Sequence, residues 1–472
     1  MREERRAVFR AYDIRGVAGV DFDAAWVREL GRALGAWYLA RGLDRAVLGR
    51  DCRATSPEYF EALAQGLAST GVDVILTGLL ATPVLYHAVR HLGTRAGVMV
   101  TASHNPPEYN GFKLWGGDCV LSPEEILEVR DLLEAGDFPQ GRGLISTHDP
   151  VPAWLDEVAA LERLEPRKPG ARPLRVVVDG GNGSAGELTA LLLERAAQNT
   201  PSSDAAHPHL VVDRLFCDPD GSFPNHHPDP VIETNVSGLK NRVLETGADL
   251  GVGLDGDGDR IGVVDEKGRL WPGDRLLALF ARDVLRRAPG ARIIADVKCS
   301  HLLFKDIVAH GGNPIMGVTG HSIMKRALKE QHAALAGEMS GHMFFGEGFF
   351  GWDDAAYAAL RLVALLSRSD RPLSRLLEEW PESFATPEIR TPCPESCKFE
   401  VVRRVHAELS DRFDIIDVDG VRVLFPDGWG LVRASNTQAE LTLRFEAESE
   451  ARLEEIRNFL TAVVDRAVRA SC

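Results

Sequence analysis

Two stretches of this 472-residue chain hold side chains whose types and spacing could do chemistry. In Val98-Met99-Val100-Thr101-Ala102-Ser103-His104-Asn105-Pro106-Pro107 an apolar run stops in small and polar residues, then two prolines. Neither proline can donate a ladder hydrogen bond, so the strand ends and Ser103 is displayed on a tight loop at its carboxyl end. In open α/β sheets ligands bind there; a helix-capping serine is the plain alternative. The second stretch is Asp255-Gly256-Asp257-Gly258-Asp259-Arg260. Three carboxylates at alternate positions, with glycines between them, let the chain curl until their oxygens face one point. That arrangement suits a hard divalent cation. It is not an EF-hand loop, because Arg260 stands where the sixth-position glycine is required, and Phe223 excludes Asp218-Pro219-Asp220-Gly221-Ser222 on the same ground. An acidic surface turn is the competing reading, and the apolar residues on both sides weigh against it.

Other polar loops follow apolar, strand-like runs: Asp296-Val297-Lys298-Cys299, Thr319-Gly320-His321-Ser322 and Gly337-Glu338-Met339-Ser340-Gly341-His342. Each could sit at a strand's carboxyl end beside the others, lining one cleft. Near the carboxyl terminus Arg433-Ala434-Ser435-Asn436-Thr437 sets a guanidinium before three small hydrogen-bonding side chains. Such a loop can grip a phosphate, or be a plain turn. Tyr12 and Arg15, in Phe9-Arg10-Ala11-Tyr12-Asp13-Ile14-Arg15-Gly16, read alone as part of a turn. The Gly-rich turn at Asp179 to Gly186 reads as a tight strand–helix connection, since no P-loop lysine follows. Gly346-Glu347-Gly348-Phe349-Phe350-Gly351 matches GxGxxG, but two phenylalanines would obstruct a pyrophosphate, so it is rejected as a dinucleotide site.

The elements that must position these residues alternate. Ala46–Arg50, Val72–Thr77 and Ala96–Val100 read as strands, with helical spacing over Pro57–Thr70 and Pro83–Leu92 between them. This βαβαβ order predicts a parallel sheet with right-handed crossovers. Beyond a Pro-rich boundary at Ile145–Pro173 a second unit opens, and a third is expected to begin near Ala248. The polar, proline-bearing stretch Gln198–His209 is expected to be a surface loop. The last unit changes character: strands over Val421–Phe425, Gly430–Ala434 and Leu441–Phe445, a Pro426-Asp427-Gly428 turn, and an amphipathic helix over Glu448–Ala470. The expected fold is α/β: three related mixed α/β domains and a smaller C-terminal α+β domain around a central cleft. The expected domains are 1–148, 149–250, 251–370 and 371–472.

With 44% hydrophobic and 26% charged residues, the composition is that of a globular protein. A net charge of -15 with no basic tail argues against nucleic-acid binding. No apolar run is long enough to span a bilayer and no signal core follows the charged start, so a cytoplasmic location is expected. The seven scattered cysteines are expected to be free thiols in a reducing compartment.

Charge bookkeeping joins the two opening stretches. A phosphoserine carries about -1.5 to -2 and would be repelled by three aspartates unless a divalent cation joined them. At this point the motifs resemble the α-D-phosphohexomutase family, through five separated motifs in family order over essentially the whole chain. The resemblance implies interconversion of hexose 1-phosphate and hexose 6-phosphate, of mannose, glucose or both, through a hexose 1,6-bisphosphate. It implies Mg2+ bound by Asp255, Asp257, Asp259 and phosphorylated Ser103, with the bisphosphate as activator. Glu338 and Ser340 match the sugar-reading loop, and Arg433, Ser435, Asn436 and Thr437 the loop holding the non-reacting phosphate. Tyr12, Arg15, Lys113, Arg260, Lys298, His321 and His342 match cleft residues. Arg15, Lys113 and His342 are the candidates to handle the proton or stabilise the transferring group. The implied partners are small hexose phosphates, with no nucleic acid and no membrane, and the chain a monomer or weak oligomer. A serine phosphatase and a sugar-phosphate-binding scaffold are the rival readings.

Overall fold

A five-residue run without alternation, such as Ala96–Val100, needs cover on both faces, and all five residues are buried. In the computed structural model, which describes residues 6–166, 172–200, 209–435 and 438–472, that run is the centre of the first of four sheets. This sheet contains β1 (Ile14–Val17), β2 (Arg45–Arg50), β3 (Asp73–Leu79), β4 (Ala96–Val100), β5 (Tyr109–Gly116), β6 (Cys119–Val120) and β7 (Ile145–Thr147), in the order β1-β5-β4-β2-β3-β7 with β6 on β5. Its helices are α1 (Ala24–Leu39), α2 (Ser56–Ala68), α3 (Thr82–His91) and α4 (Pro123–Ala135), and α5 (Val151–Ala159) follows. β2 pairs in parallel with β3 and β4, the expected βαβαβ core, and β5 returns antiparallel to β4. Ser103 therefore lies in the connection leaving the carboxyl end of β4. Helices α1 and α2 touch backbone to backbone: a Cβ on Gly66 would stand 2.1 Å from the Arg28 carbonyl oxygen.

The second sheet runs β12-β11-β10-β8-β9, from β8 (Leu174–Asp179), β9 (Leu210–Leu215), β10 (Leu250–Leu254), β11 (Ile261–Asp265) and β12 (Leu270–Trp271), with α6 (Gly186–Gln198) and α7 (Ser237–Thr246). This corrects the expected boundary at 250/251. β10 is parallel to β8 and antiparallel to β11, so the tri-aspartate stretch is the tip of a hairpin. The arms of a hairpin pair with each other and stay in one sheet. The aspartates belong to the second unit, not the third. Of the expected loop at Gln198–His209, residues 201–208 lie outside the described residues.

The third sheet runs β14-β13-β15-β16, from β13 (Arg292–Asp296), β14 (Asn313–Gly317), β15 (Leu335–Gly337) and β16 (Met343–Phe345), with α8 (Gly273–Arg287), α9 (His301–Ala309), α10 (His321–Glu330) and α11 (Ala355–Ser367). β14 and β15 are both parallel to β13, so the loops bearing Lys298, Thr319 and Glu338 leave one edge of the sheet. The glycine-rich loop after β16 is filled from within: Phe349 stacks on Tyr357 at 4.0 Å.

The fourth sheet holds β17 (Phe384–Ala385), β18 (Ile389–Pro392), β19 (Ile415–Ile416), β20 (Val421–Phe425), β21 (Gly428–Ala434) and β22 (Glu440–Ala447), with α12 (Lys398–Leu409) and α13 (Glu450–Ser471). The expectation of free thiols is corrected at one pair. α13 packs along α12 and brings Cys472 to Cys397, Cα–Cα 5.8 Å, as a disulfide. A separation of 75 residues hides this pairing from the sequence. Closing so long a loop restricts the unfolded chain by about 4 kcal/mol. Cys472→Ser is expected to lower the denaturant midpoint of this unit in oxidising buffer and to leave it unchanged in excess dithiol, read from the buried Trp429. Equal midpoints in oxidising buffer would contradict the assignment. Among the described residues no helix is long and apolar enough to cross a membrane.

Candidate active site

Ser103 has φ +51°, in the left-handed region that costs a non-glycine residue energy and persists where the surroundings enforce it. What enforces it is Arg53, wholly buried. Its Nη2 donates to the carbonyl oxygens of Ser103 (2.8 Å) and Asn105 (2.6 Å), and its Nη1 to those of Pro106 (2.6 Å) and Tyr109 (3.0 Å). Asp51 accepts from Arg53 Nε at 3.1 Å and holds the fork in place. Sequence reasoning missed Arg53; an arginine just after a strand, fifty residues upstream of the loop, carries no signal of its partner.

The serine hydroxyl donates to Asp255 Oδ2 at 2.7 Å and lies 3.2 Å from His104 Nδ1. The two loops are pressed together: a Cβ on Gly256 would stand 2.4 Å from the Ser103 carbonyl oxygen. The Gly-rich turn after β8 acts as a buttress here, Ser184 N and Oγ both donating to the Gly256 carbonyl, at 2.9 and 3.1 Å. At the hairpin tip, Asp255 Oδ1 accepts the backbone N–H groups of Gly258, Asp259 and Arg260.

Asp255, Asp257 and Asp259 are fully buried, and each offers an oxygen within 4.8 Å of the others. Burial first, then Asp259 and Asp257, push Asp255 well above the usual carboxylate range. The Lys113 ammonium sits among them, 2.7 Å from Asp257 Oδ2 and paired with Asp259. Burial weakens its hold on the proton, but the neighbouring aspartates outweigh burial and hold it more firmly than usual. Asp257 Oδ1 and Asp259 Oδ1 are buried without a hydrogen-bond partner. An all-oxygen set with orphaned lone pairs and a cation in its midst fits a hard divalent ion.

Beside this centre opens a cavity of about 660 Å³, lined by Tyr12, Arg15, Arg260, Lys298, His321, Glu338, Ser340, His342, Arg433 and Ser435 together with His104. Its size suits a small organic ligand. Tyr12 reaches across units to donate to the Thr319 carbonyl at 2.8 Å, and Arg15 donates to Asn105 Oδ1 at 2.6 Å. Arg260 Nε donates to His342 Nε2 at 3.0 Å, while His342 Nδ1 lies 3.0 Å from Asp353. Asp353 also pairs with Lys325 at 2.6 Å. Burial, then Lys325 and Lys113, keep His321 well below the usual imidazole range. Glu338 accepts from Gly320 N at 2.5 Å. Two cleft cations have counter-ions that the sequence did not single out, Glu388 on Lys298 (3.1 Å) and Asp419 on Arg433 (3.1 Å). Lys398 Nζ donates to the Ser435 and Gln438 carbonyls, at 2.6 and 3.1 Å. Asn436 and Thr437 lie outside the described residues. The structure thus places Ser103, Lys113 and the aspartates in the buried wall and the other described candidates around the cavity.

Family models match this chain from end to end. Those described as phosphoglucomutase/phosphomannomutase alpha/beta/alpha domains I, II and III match residues 6–140, 152–268 and 272–384, and that of the C-terminal domain matches 388–463. The phosphomannomutase/phosphoglucomutase of Pseudomonas aeruginosa is 44% identical over 462 residues, 97% of this chain and 96% of that one. A phosphoglucomutase of Neisseria gonorrhoeae is 42% identical over 467 residues, 98% of this chain and 97% of that one. The crystal structure of a phosphoglucomutase/phosphomannomutase family protein from Burkholderia thailandensis superposes with a TM-score of 0.88 at 38% identity, covering 98% of both chains. The N-acetylphosphoglucosamine mutase of Aspergillus fumigatus, solved with GlcNAc-6P and magnesium, shares the fold at 14% identity, TM-score 0.63, over all of both chains. The four units, in this order and around this cleft, make the chain a member of the phosphoglucomutase/phosphomannomutase family of α-D-phosphohexomutases.

Proposed function

We propose that the chain interconverts hexose 1-phosphate and hexose 6-phosphate, of mannose, glucose or both, with Ser103 as the phosphoryl carrier. The observation that carries this reading is the strained Ser103 loop, its hydroxyl held 2.7 Å from a buried tri-carboxylate centre at the edge of a cavity lined with cations. Phosphorylated Ser103 passes its phosphoryl group to the free hydroxyl of the bound sugar phosphate: the Ser103 Oγ–P bond breaks, a sugar O–P bond forms, and a 1,6-bisphosphate results. That intermediate turns round in the cleft and returns its other phosphate to Ser103.

Each residue has a part in that exchange. Asp255, Asp257 and Asp259 would hold Mg2+, which when bound withdraws charge from the phosphoryl oxygens. Lys113 and Arg15 bring positive charge to the same region. The proton of the attacking hydroxyl falls to Arg15, Lys113 or His342. Of these only the imidazole has a nitrogen able to accept as well as donate, and His342 presents Nε2 toward Arg260. Glu338 and Ser340 read sugar hydroxyls, with Tyr12, Lys298, His321 and Arg260 around them. Arg433, Ser435, Asn436 and Thr437 hold the phosphate that is not reacting, by guanidinium, hydroxyl and amide donors.

The deciding assay follows mannose 1-phosphate and glucose 1-phosphate with Mg2+ and a hexose 1,6-bisphosphate present. Isomerised hexose phosphate without released inorganic phosphate is expected. Stoichiometric phosphate release would favour the phosphatase reading instead. Arg433→Ala removes charged hydrogen bonds worth about 1.5–3 kcal/mol each and is expected to raise KM about 10- to 100-fold with a smaller change in kcat. Steady-state kinetics check this, and a loss confined to kcat would remove Arg433 from the phosphate grip.

A further inference from the structure

A cluster that the reaction does not use joins α3 to α5. His87 and His91 stand one turn apart on α3, rings stacked at 5.5 Å with planes 18° apart. Glu157 on α5 faces them, its Oε2 2.8 Å from His87 Nε2. The three residues each offer a ligand atom within 4.8 Å of the others, outside the tri-aspartate centre. His87 is wholly buried with Nδ1 unpartnered, whereas His91 is exposed and gives access from solvent. Arg90 binds the other carboxylate oxygen, Oε1, at 3.0 Å. It thereby orients Glu157 and leaves Oε2 to His87, as a supporting hydrogen bond does in a metal site.

We propose that His87, His91 and Glu157 form a binding site for a borderline divalent transition-metal ion of the Zn2+ class. Two imidazoles and one carboxylate are the donor set of three-ligand zinc sites, which keep a fourth position for water. Imidazole donors select Zn2+ and its neighbours over Mg2+ and Ca2+. Ligand atoms about 2.0–2.1 Å from a tetrahedral ion stand about 3.4 Å from one another, so small rotamer adjustments close the set. The spacing of two histidines by four residues puts both on one helix face. The ion ties the last turn of α3, in the first unit, to the helix that leads into the second.

The test compares the full-length protein with His91→Ala and Glu157→Gln in a buffer holding excess Mg2+. Zn2+ binding is measured by calorimetry, and Co2+ is used as a spectroscopic substitute. Loss of one Zn2+ equivalent in His91→Ala, or an affinity weakened at least about 10-fold, is expected. Glu157→Gln is expected to weaken binding in the same direction. The Co2+ bound in wild type and lost in His91→Ala is expected to lack the intense thiolate bands that a cysteine site would give. His91 is exposed, and unchanged basal turnover shows that the variant is folded. Equal stoichiometry and affinity in wild type and His91→Ala overturn the proposal, as does a Co2+ spectrum carrying thiolate bands alone.

Discussion

Ser103→Ala is expected to lower mutase turnover by at least about 10⁴-fold, the scale on which removal of a nucleophile acts. The substitution deletes one oxygen and nothing else of size. The strained backbone is held by Arg53 through carbonyl groups that alanine retains, so the loop keeps its path. Lost activity with unchanged circular dichroism would then be a chemical effect. Intact mass adds a second readout: wild-type protein given a hexose 1,6-bisphosphate gains one phosphoryl group, and the variant gains none. A Ser103→Ala protein with undiminished turnover would sink the carrier mechanism.

Asp255→Asn is expected to cost about 10³-fold in kcat, since a Lewis acid at a phosphoryl oxygen is worth several kcal/mol. Asn has the shape of Asp, so the backbone N–H groups of Gly258 to Arg260 still find an acceptor at Oδ1. What is lost is negative charge in a buried triad and the acceptor facing the Ser103 hydroxyl. Chelation of divalent ions in the wild-type protein is expected to act similarly and to be reversed by added Mg2+. Full turnover in a chelator would show that the three carboxylates serve only to seat Lys113.

Short-range physics was readable from residue order. The apolar run of β4 stopped at Val100 before the polar loop, alternating aspartates and glycines described a curled loop, and three apolar runs ending in polar residues became three parallel strands with adjacent exits. What failed depended on pairing at a distance. A new unit was expected to begin near Ala248, and only the parallel register of β10 on β8 puts Leu250–Leu254, with its antiparallel partner Ile261–Asp265, in the second sheet. Arg53 and its four carbonyl partners are bonded through backbone atoms, which sequence cannot distinguish. Asp419 and Glu388 are ordinary loop acids until the fold sets them against Arg433 and Lys298. Cys472 meets Cys397 only because two helices lie side by side.

The hairpin tip has a wider consequence. Its carboxylates belong to the second sheet, the serine they face leaves the first, and the cavity beside them is lined by loops of all four units. No unit owns a reaction centre. Competence is a property of assembly: the 2.4 Å approach that a side chain on Gly256 would make to Ser103 measures how closely two separately built bodies must seat. A lesion in the turn at Asn182 to Ser184, which does not line the cavity, is expected to act on the chemistry by letting that seat shift, so that the catalytic rate becomes a gauge of docking.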